Sequence, residues 1–141
     1  MKRREQNEGR WASSATLPAD RVSFAGVDGA EMIKRTRQLV PAIAARADEC
    51  ERLRRLPEAT ERDLHAAGLF RIMQPARVGG AELDLMVLVD ACAEIARVCP
   101  STAWNLGNLA SHHWMLGYFP AETQDELWDV STDVLIATSL I

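Results

Sequence analysis

Residues 104–119, WNLGNLASHHWMLGYF, set two adjacent histidines, two asparagines and a serine into an otherwise apolar run. Imidazole both takes and gives a proton near neutral pH, so His112 and His113 are the first candidates for acid–base or hydrogen-bond chemistry. On a helix of about 3.6 residues per turn, Trp104, Asn108, Ser111, His112 and Met115 share one face. His113 falls about 100° away, among Leu106, Leu109, Ala110 and Gly117. An aromatic ring, an amide, a hydroxyl and an imidazole on one face suggest a polar cavity, because buried polar groups must find partners. The residues alone leave a second reading open, in which Asn108 and His112 bond to the backbone or to a neighbouring helix. His113, with apolar neighbours, is expected to pack and to reach a surface with its ring tip. A metal centre is not indicated, since adjacent histidines on a regular helix cannot converge on one ion. His65 lies apart on an amphipathic stretch and reads as solvated. No GxSxG, P-loop or GxGxxG occurs.

The elements that must hold this face are helical. Leu39, Ile43, Ala47, Cys50 and Leu53 recur at three- and four-residue steps in a first helix starting near Glu31, with Pro41 expected to kink or restart it. Pro57 opens and Gly68 closes a second helix. Leu69 to Met73 reads as extended and leads into a turn at Gly79–Gly80. The third helix, about 83–98, is apolar except for a stripe of Asp90, Glu94 and Arg97, which predicts neighbours on most sides. Ser101 is the expected N-cap of the fourth helix, 102–119, and Pro120 opens a fifth. The closing VLIATSLI reads as one strand without a pairing partner, the first strand of a domain that is not here. Residues 1–28 show no period and are expected to be a flexible lead, followed by a helical domain over 29–133 and the start of a β-domain at 134–141.

Gross properties narrow the function. A chain of 141 residues, 48% hydrophobic, can bury one real core. A net charge of −4, from 16 basic and 20 acidic residues, gives no polyanion-binding signature, so nucleic acid is not an expected partner. No apolar run approaches a membrane span, and the three spaced cysteines read as reduced thiols, which together suggest a cytoplasmic protein.

Several segments together resemble a known family. They are LHAAGLFRIMQPARVGGAELDL (64–85), EIARVCPSTAW (94–104), the helix with a central histidine, FPAETQDELW (119–128) and IATSL (136–140). From about residue 35 onward the chain is similar to the N-terminal helical domain of the acyl-CoA dehydrogenase fold. Within that superfamily it most resembles the oxygenase components of two-component, flavin-dependent aromatic monooxygenases. The resemblance implies an all-α domain and an oxidoreductase that hydroxylates an aromatic or phenolic substrate with O2. Its cofactor would be reduced flavin, FMN or FAD, supplied by a separate flavin reductase. It further implies that His112 faces the substrate and assists deprotonation of a phenol, that Trp104 and Asn108 line the same wall, and that Thr138 and Ser139 approach the flavin. Members of the family continue through a β-domain and a helical bundle, so the chain reads as a fragment. It is expected not to turn over by itself, and tetramers are expected only of the full-length form. Two alternatives stand beside this reading: an acyl-CoA dehydrogenase-type flavoprotein, and a non-enzymatic helical interaction module.

Overall fold

A computed structural model describes residues 22–138. Six α-helices run in the order α1 (Gly29–Ala45), α2 (Ala47–Leu53), α3 (Glu58–Ala67), α4 (Leu85–Ala96), α5 (Pro100–Leu116) and α6 (Ala121–Trp128). All regular secondary structure among the described residues is helical, with no strand. Residues 134–138 carry no regular secondary structure, so the strand expected there is not formed over the described part.

The first helix starts where its chemistry dictates. Asp28 accepts a hydrogen bond from the Glu31 amide at 2.8 Å, which satisfies one of the free N–H groups of the first turn. Pro41 sits inside α1 without ending it; the break comes later, at Arg46. There the backbone leaves helical angles, and the guanidinium bonds Thr60 at 3.0 Å and Asp63 at 2.6 Å on α3. A side-chain tie to another helix, rather than the proline ring, therefore sets the turn.

The core lies between α1, α4, α5 and the segment after α3. Met32, Ile43, Leu64, Leu69, Phe70, Ile72, Leu88, Ile95 and Leu106 are all buried there. Phe24 joins them from residues 22–28, the end of the stretch read as a lead, and its amide bonds the Gly79 carbonyl at 2.8 Å. Two expectations are corrected here. Leu69–Arg71 is a buried 3-10 turn, not an extended run: Gly68 closes α3 at φ +80, and the Arg71 amide at once bonds back to the Gly68 carbonyl at 3.0 Å. And α4 is not covered on most sides: Leu85, Met86 and Val89 are exposed, so its apolar composition exceeds what this chain packs against it.

Ser101 is not the cap of α5. Cys99 holds that position with Pro100 at the first turn, where its missing N–H costs nothing. The Ser101 hydroxyl instead donates to Glu51 on α2.

The hairpin-like return over 71–83 rests on backbone contact. Ala81 and Leu83 donate to the carbonyls of Arg71 and Ile72 at 3.0 and 2.9 Å. Gly80 passes so close to Gln74 that an added Cβ would lie 2.0 Å from its carbonyl oxygen. Gly80→Ala should therefore force the backbone apart and cost about 3 kcal/mol. Thermal denaturation of the variant should show the midpoint lowered by roughly 10 °C, and a midpoint within about 2 °C of the parent would contradict this packing.

Candidate functional site

Helix α5 carries both histidines, and the structure gives them different lives. His112 is 8% exposed. Its Nδ1 lies 2.6 Å from the carbonyl oxygen of Asn108, one turn earlier. A carbonyl only accepts, so Nδ1 carries the proton and the neutral ring presents its lone pair at Nε2. That nitrogen lies 2.8 Å from Thr138 Oγ1, so in the neutral ring the threonine hydroxyl donates to it. The Asn108 carbonyl also accepts from Ser111 Oγ at 2.8 Å. The site therefore contains an imidazole of defined tautomer whose basic nitrogen meets a hydroxyl from a distant segment.

The other sequence-selected residues fall nearby without closing on His112. Trp104 is 74% exposed and stands between two open clefts. One, of about 830 Å3, is bordered by Cys50, Arg54, Ser101, Asn105 and Leu135. The other, of about 640 Å3, runs between α4 and α5 and is bordered by Val89, Cys92, Gly107, Asn108 and Ser111. Asn108 thus serves His112 through its backbone and also borders the second cleft. Ser139 lies outside the described residues.

His113 does not reach a surface as expected; it is fully buried, its ring stacked on Trp128 with centroids 5.8 Å apart. His65 is likewise half-buried rather than solvated, packed against Phe70 at 4.8 Å. The last residue of the α5 face, Met115, is exposed.

Beneath the histidines lies a polar cluster that sequence reasoning missed. Arg71 is 1% exposed, yet its guanidinium is well supplied with acceptors. Nε donates to Gln74 Oε1 at 2.5 Å, Nη1 to the Val22 carbonyl at 2.8 Å and to Asp133 at 3.2 Å, and Nη2 to the Val78 carbonyl at 3.2 Å. Its Cζ also sits 5.2 Å from the centre of the Phe24 ring. Gln74, also fully buried, donates from Nε2 to the Thr132 carbonyl at 2.8 Å and lies 3.5 Å from His113 Nδ1. One signal was available in the sequence: a lone arginine inside the apolar run LFRIM.

Cys50 and Cys92 are not poised for nucleophilic work. Burial pushes Cys50 and Cys92 above the usual thiol range, and all three cysteines are free. No group of three or more metal-ligating side chains converges among the described residues. Nor is any described helix long and apolar enough to cross a membrane.

Burial, followed by the neighbouring Arg71 guanidinium, pushes His113 down to about 4, with His112 adding to the effect; the Val134 backbone and Asp133 oppose it. The folded chain thus prefers the neutral ring, while the unfolded chain takes up a proton near pH 6.5. The stability this confers is complete above about pH 6.5 and is lost as pH falls from there toward 4. A displacement of this size is worth about 3 kcal/mol. Urea unfolding across that range should show the loss, and His113→Gln should flatten the profile between those pH values.

Comparison with known proteins places this geometry in a lineage. Residues 30–128 match the family described as acyl-CoA dehydrogenase, N-terminal domain. The oxygenase subunit HsaA of a flavin-dependent monooxygenase from Rhodococcus jostii is 36% identical over 76% of the chain, which covers 28% of that protein. The oxygenase component of p-hydroxyphenylacetate 3-hydroxylase from Acinetobacter baumannii is 32% identical over 81% of the chain, covering 27% of the relative. Among solved structures, the HsaA monooxygenase from M. tuberculosis superposes with a TM-score of 0.73 at 33% identity, over 76% of this chain and 29% of that one. XiaF from Streptomyces sp., in complex with FADH2 and glycerol, gives a TM-score of 0.71 at 28% identity, over 76% and 27%. The chain thus spans between a quarter and a third of the length of these relatives. With the family matched over most of its length, this chain belongs to the acyl-CoA dehydrogenase N-terminal domain family.

Proposed function

We propose that this chain is the helical part of a flavin-dependent monooxygenase that hydroxylates a phenolic substrate, and that His112 and Thr138 receive the phenol hydroxyl. The observation that carries the reading is the 2.8 Å contact between His112 Nε2 and Thr138 Oγ1. A phenol hydroxyl is both donor and acceptor, as the threonine hydroxyl is. It can donate to the unprotonated Nε2 in place of Thr138 and accept from the threonine in turn. The Asn108 carbonyl holds the ring in the tautomer this needs, so no rearrangement of protons precedes binding. As the phenol gives up its proton, Nε2 is the atom that takes it. A phenolate ring is richer in electrons than a phenol, which favours attack on an electrophilic oxygen.

The residues fit a flat aromatic cofactor. Trp104 offers an exposed indole between the two clefts, and aromatic planes stack on such a face. Reduced flavin, when bound, supplies the activated oxygen, and that chemistry belongs to the cofactor. The chain's own part is to orient the substrate hydroxyl at His112 and Thr138, and to help exclude water from it. Names among the relatives support the reading: flavin-dependent monooxygenase, p-hydroxyphenylacetate 3-hydroxylase and FADH2-dependent resorcinol hydroxylase. Several of these are oxygenase components or subunits, which supports a separate reductase as the source of reduced flavin.

The test is a chimera in which residues 29–138 replace the matching part of the p-hydroxyphenylacetate 3-hydroxylase oxygenase component. His112→Ala should lower hydroxylation by about 10²-fold or more while flavin affinity stays unchanged. Unaltered hydroxylation would return His112 to a packing role.

A further inference from the structure

We infer that Gln74 is a positioning residue for the His112–Thr138 pair, acting through the carbonyl of Thr132. The inference deepens the reading just given, since it concerns how one half of that pair is held in place.

Thr138 lies on a stretch that secondary structure does not hold. After Trp128 the chain forms no helix or strand among the described residues. Nor does any backbone-to-backbone hydrogen bond tie residues 130–138 to the rest of the described chain. Its position must come from side chains, and few reach it. Arg71 bonds Asp133, but that carboxylate is 51% exposed, so water competes for it. Leu135 packs against the core, which limits depth but not direction. Two buried side chains supply ties that are directional and out of reach of solvent: the His113 ring on α5, which bonds the Val134 backbone, and the Gln74 amide, through its 2.8 Å bond to the Thr132 carbonyl.

The amide is itself held rigidly. Its oxygen accepts from Arg71 Nε, which fixes which end of the side chain faces Thr132. Its nitrogen also lies against His113, the neighbour of His112 on the same helix. Gln74 therefore references the segment to α5 directly. From Thr132 to Thr138 is six residues, at most about 20 Å of extended chain, so an anchor at one end restricts the other.

The experiment uses the full 141-residue chain and needs no substrate. The side-chain 15N shift of His112 Nε2 reports whether the nitrogen accepts a hydrogen bond, and Thr138→Val supplies the reference value without one. Two variants separate the amide's roles. Gln74→Leu removes its bonds to Arg71 and Thr132 and its contact with His113, whereas Gln74→Glu keeps an acceptor for Arg71 and removes the N–H donors that face Thr132 and His113. Both should move the His112 Nε2 shift most of the way to the Thr138→Val value. Amide exchange over residues 134–138 should accelerate at least about tenfold, with helical circular dichroism retained. A folded variant of either kind with the parent's shift and exchange rates overturns the inference. Should both variants fail to fold, the unaltered chain decides: the Gln74 side-chain amide and the amides of 134–138 should exchange at one common rate. A segment exchanging freely while the Gln74 amide stays protected overturns the inference. Because the readout is a hydrogen bond rather than turnover, failure of the hydroxylation reading and failure of this one are separately visible.

Discussion

A guanidinium cannot be taken out of water without replacing its hydration, and the burial of Arg71 organises much of what surrounds it. The acceptors come from places far apart in sequence: the carbonyl of Val22, the side chain of Gln74, the carbonyl of Val78 and the carboxylate of Asp133. Meeting the demand of one charge therefore joins the segment before α1, the turn before α4 and the segment after α6. Arginine suits this work better than lysine, because its planar fork presents five donors in fixed directions. The same charge discourages a second one close by, which is part of why His113 stays neutral in the fold.

Above this cluster, α5 divides its labour by residue. His113 faces down, stacks on Trp128 and serves packing. His112, one residue on the other side, turns to Thr138 and keeps a basic nitrogen available. The helix itself sets the tautomer, since the carbonyl of Asn108 is the group one turn earlier in any α-helix. A site built this way takes its proton arrangement from regular backbone and its placement from an irregular segment, so the two can be altered independently.

Surface chemistry is consistent with a domain that works alongside further structure. Leu85, Met86 and Val89 on α4 and Trp104, Trp114 and Tyr118 on or just after α5 are exposed apolar side chains concentrated on two helices. Grouped exposure of that kind is uncommon on a lone soluble surface. The relatives, which are three to four times as long as the span compared, have additional chain with which to cover such faces.

Much was legible in the sequence because it depends on local rules. Periodicity gave the helices, Pro57 and Gly68 marked the two ends of one of them, and the polar face of WNLGNLASHHWMLGYF singled out His112. The quoted segments spread over 64–140 were enough to point to the family. What the sequence could not settle were matters decided by partners distant along the chain. Ser101 has the character of a cap, yet Glu51 claims its hydroxyl; Pro41 has the character of a breaker, yet Arg46 turns the chain. LFRIM, a short apolar run, has the character of an extended segment, but the chain from Gly68 onward and the return at 80–83 hold it as a turn. The opposite fates of two adjacent histidines, and the reach of Thr138 to one of them across 26 positions, depend on tertiary packing alone. Propensity and period are short-range and can be read from neighbours, whereas burial and hydrogen-bond satisfaction are settled by whichever groups the fold brings together.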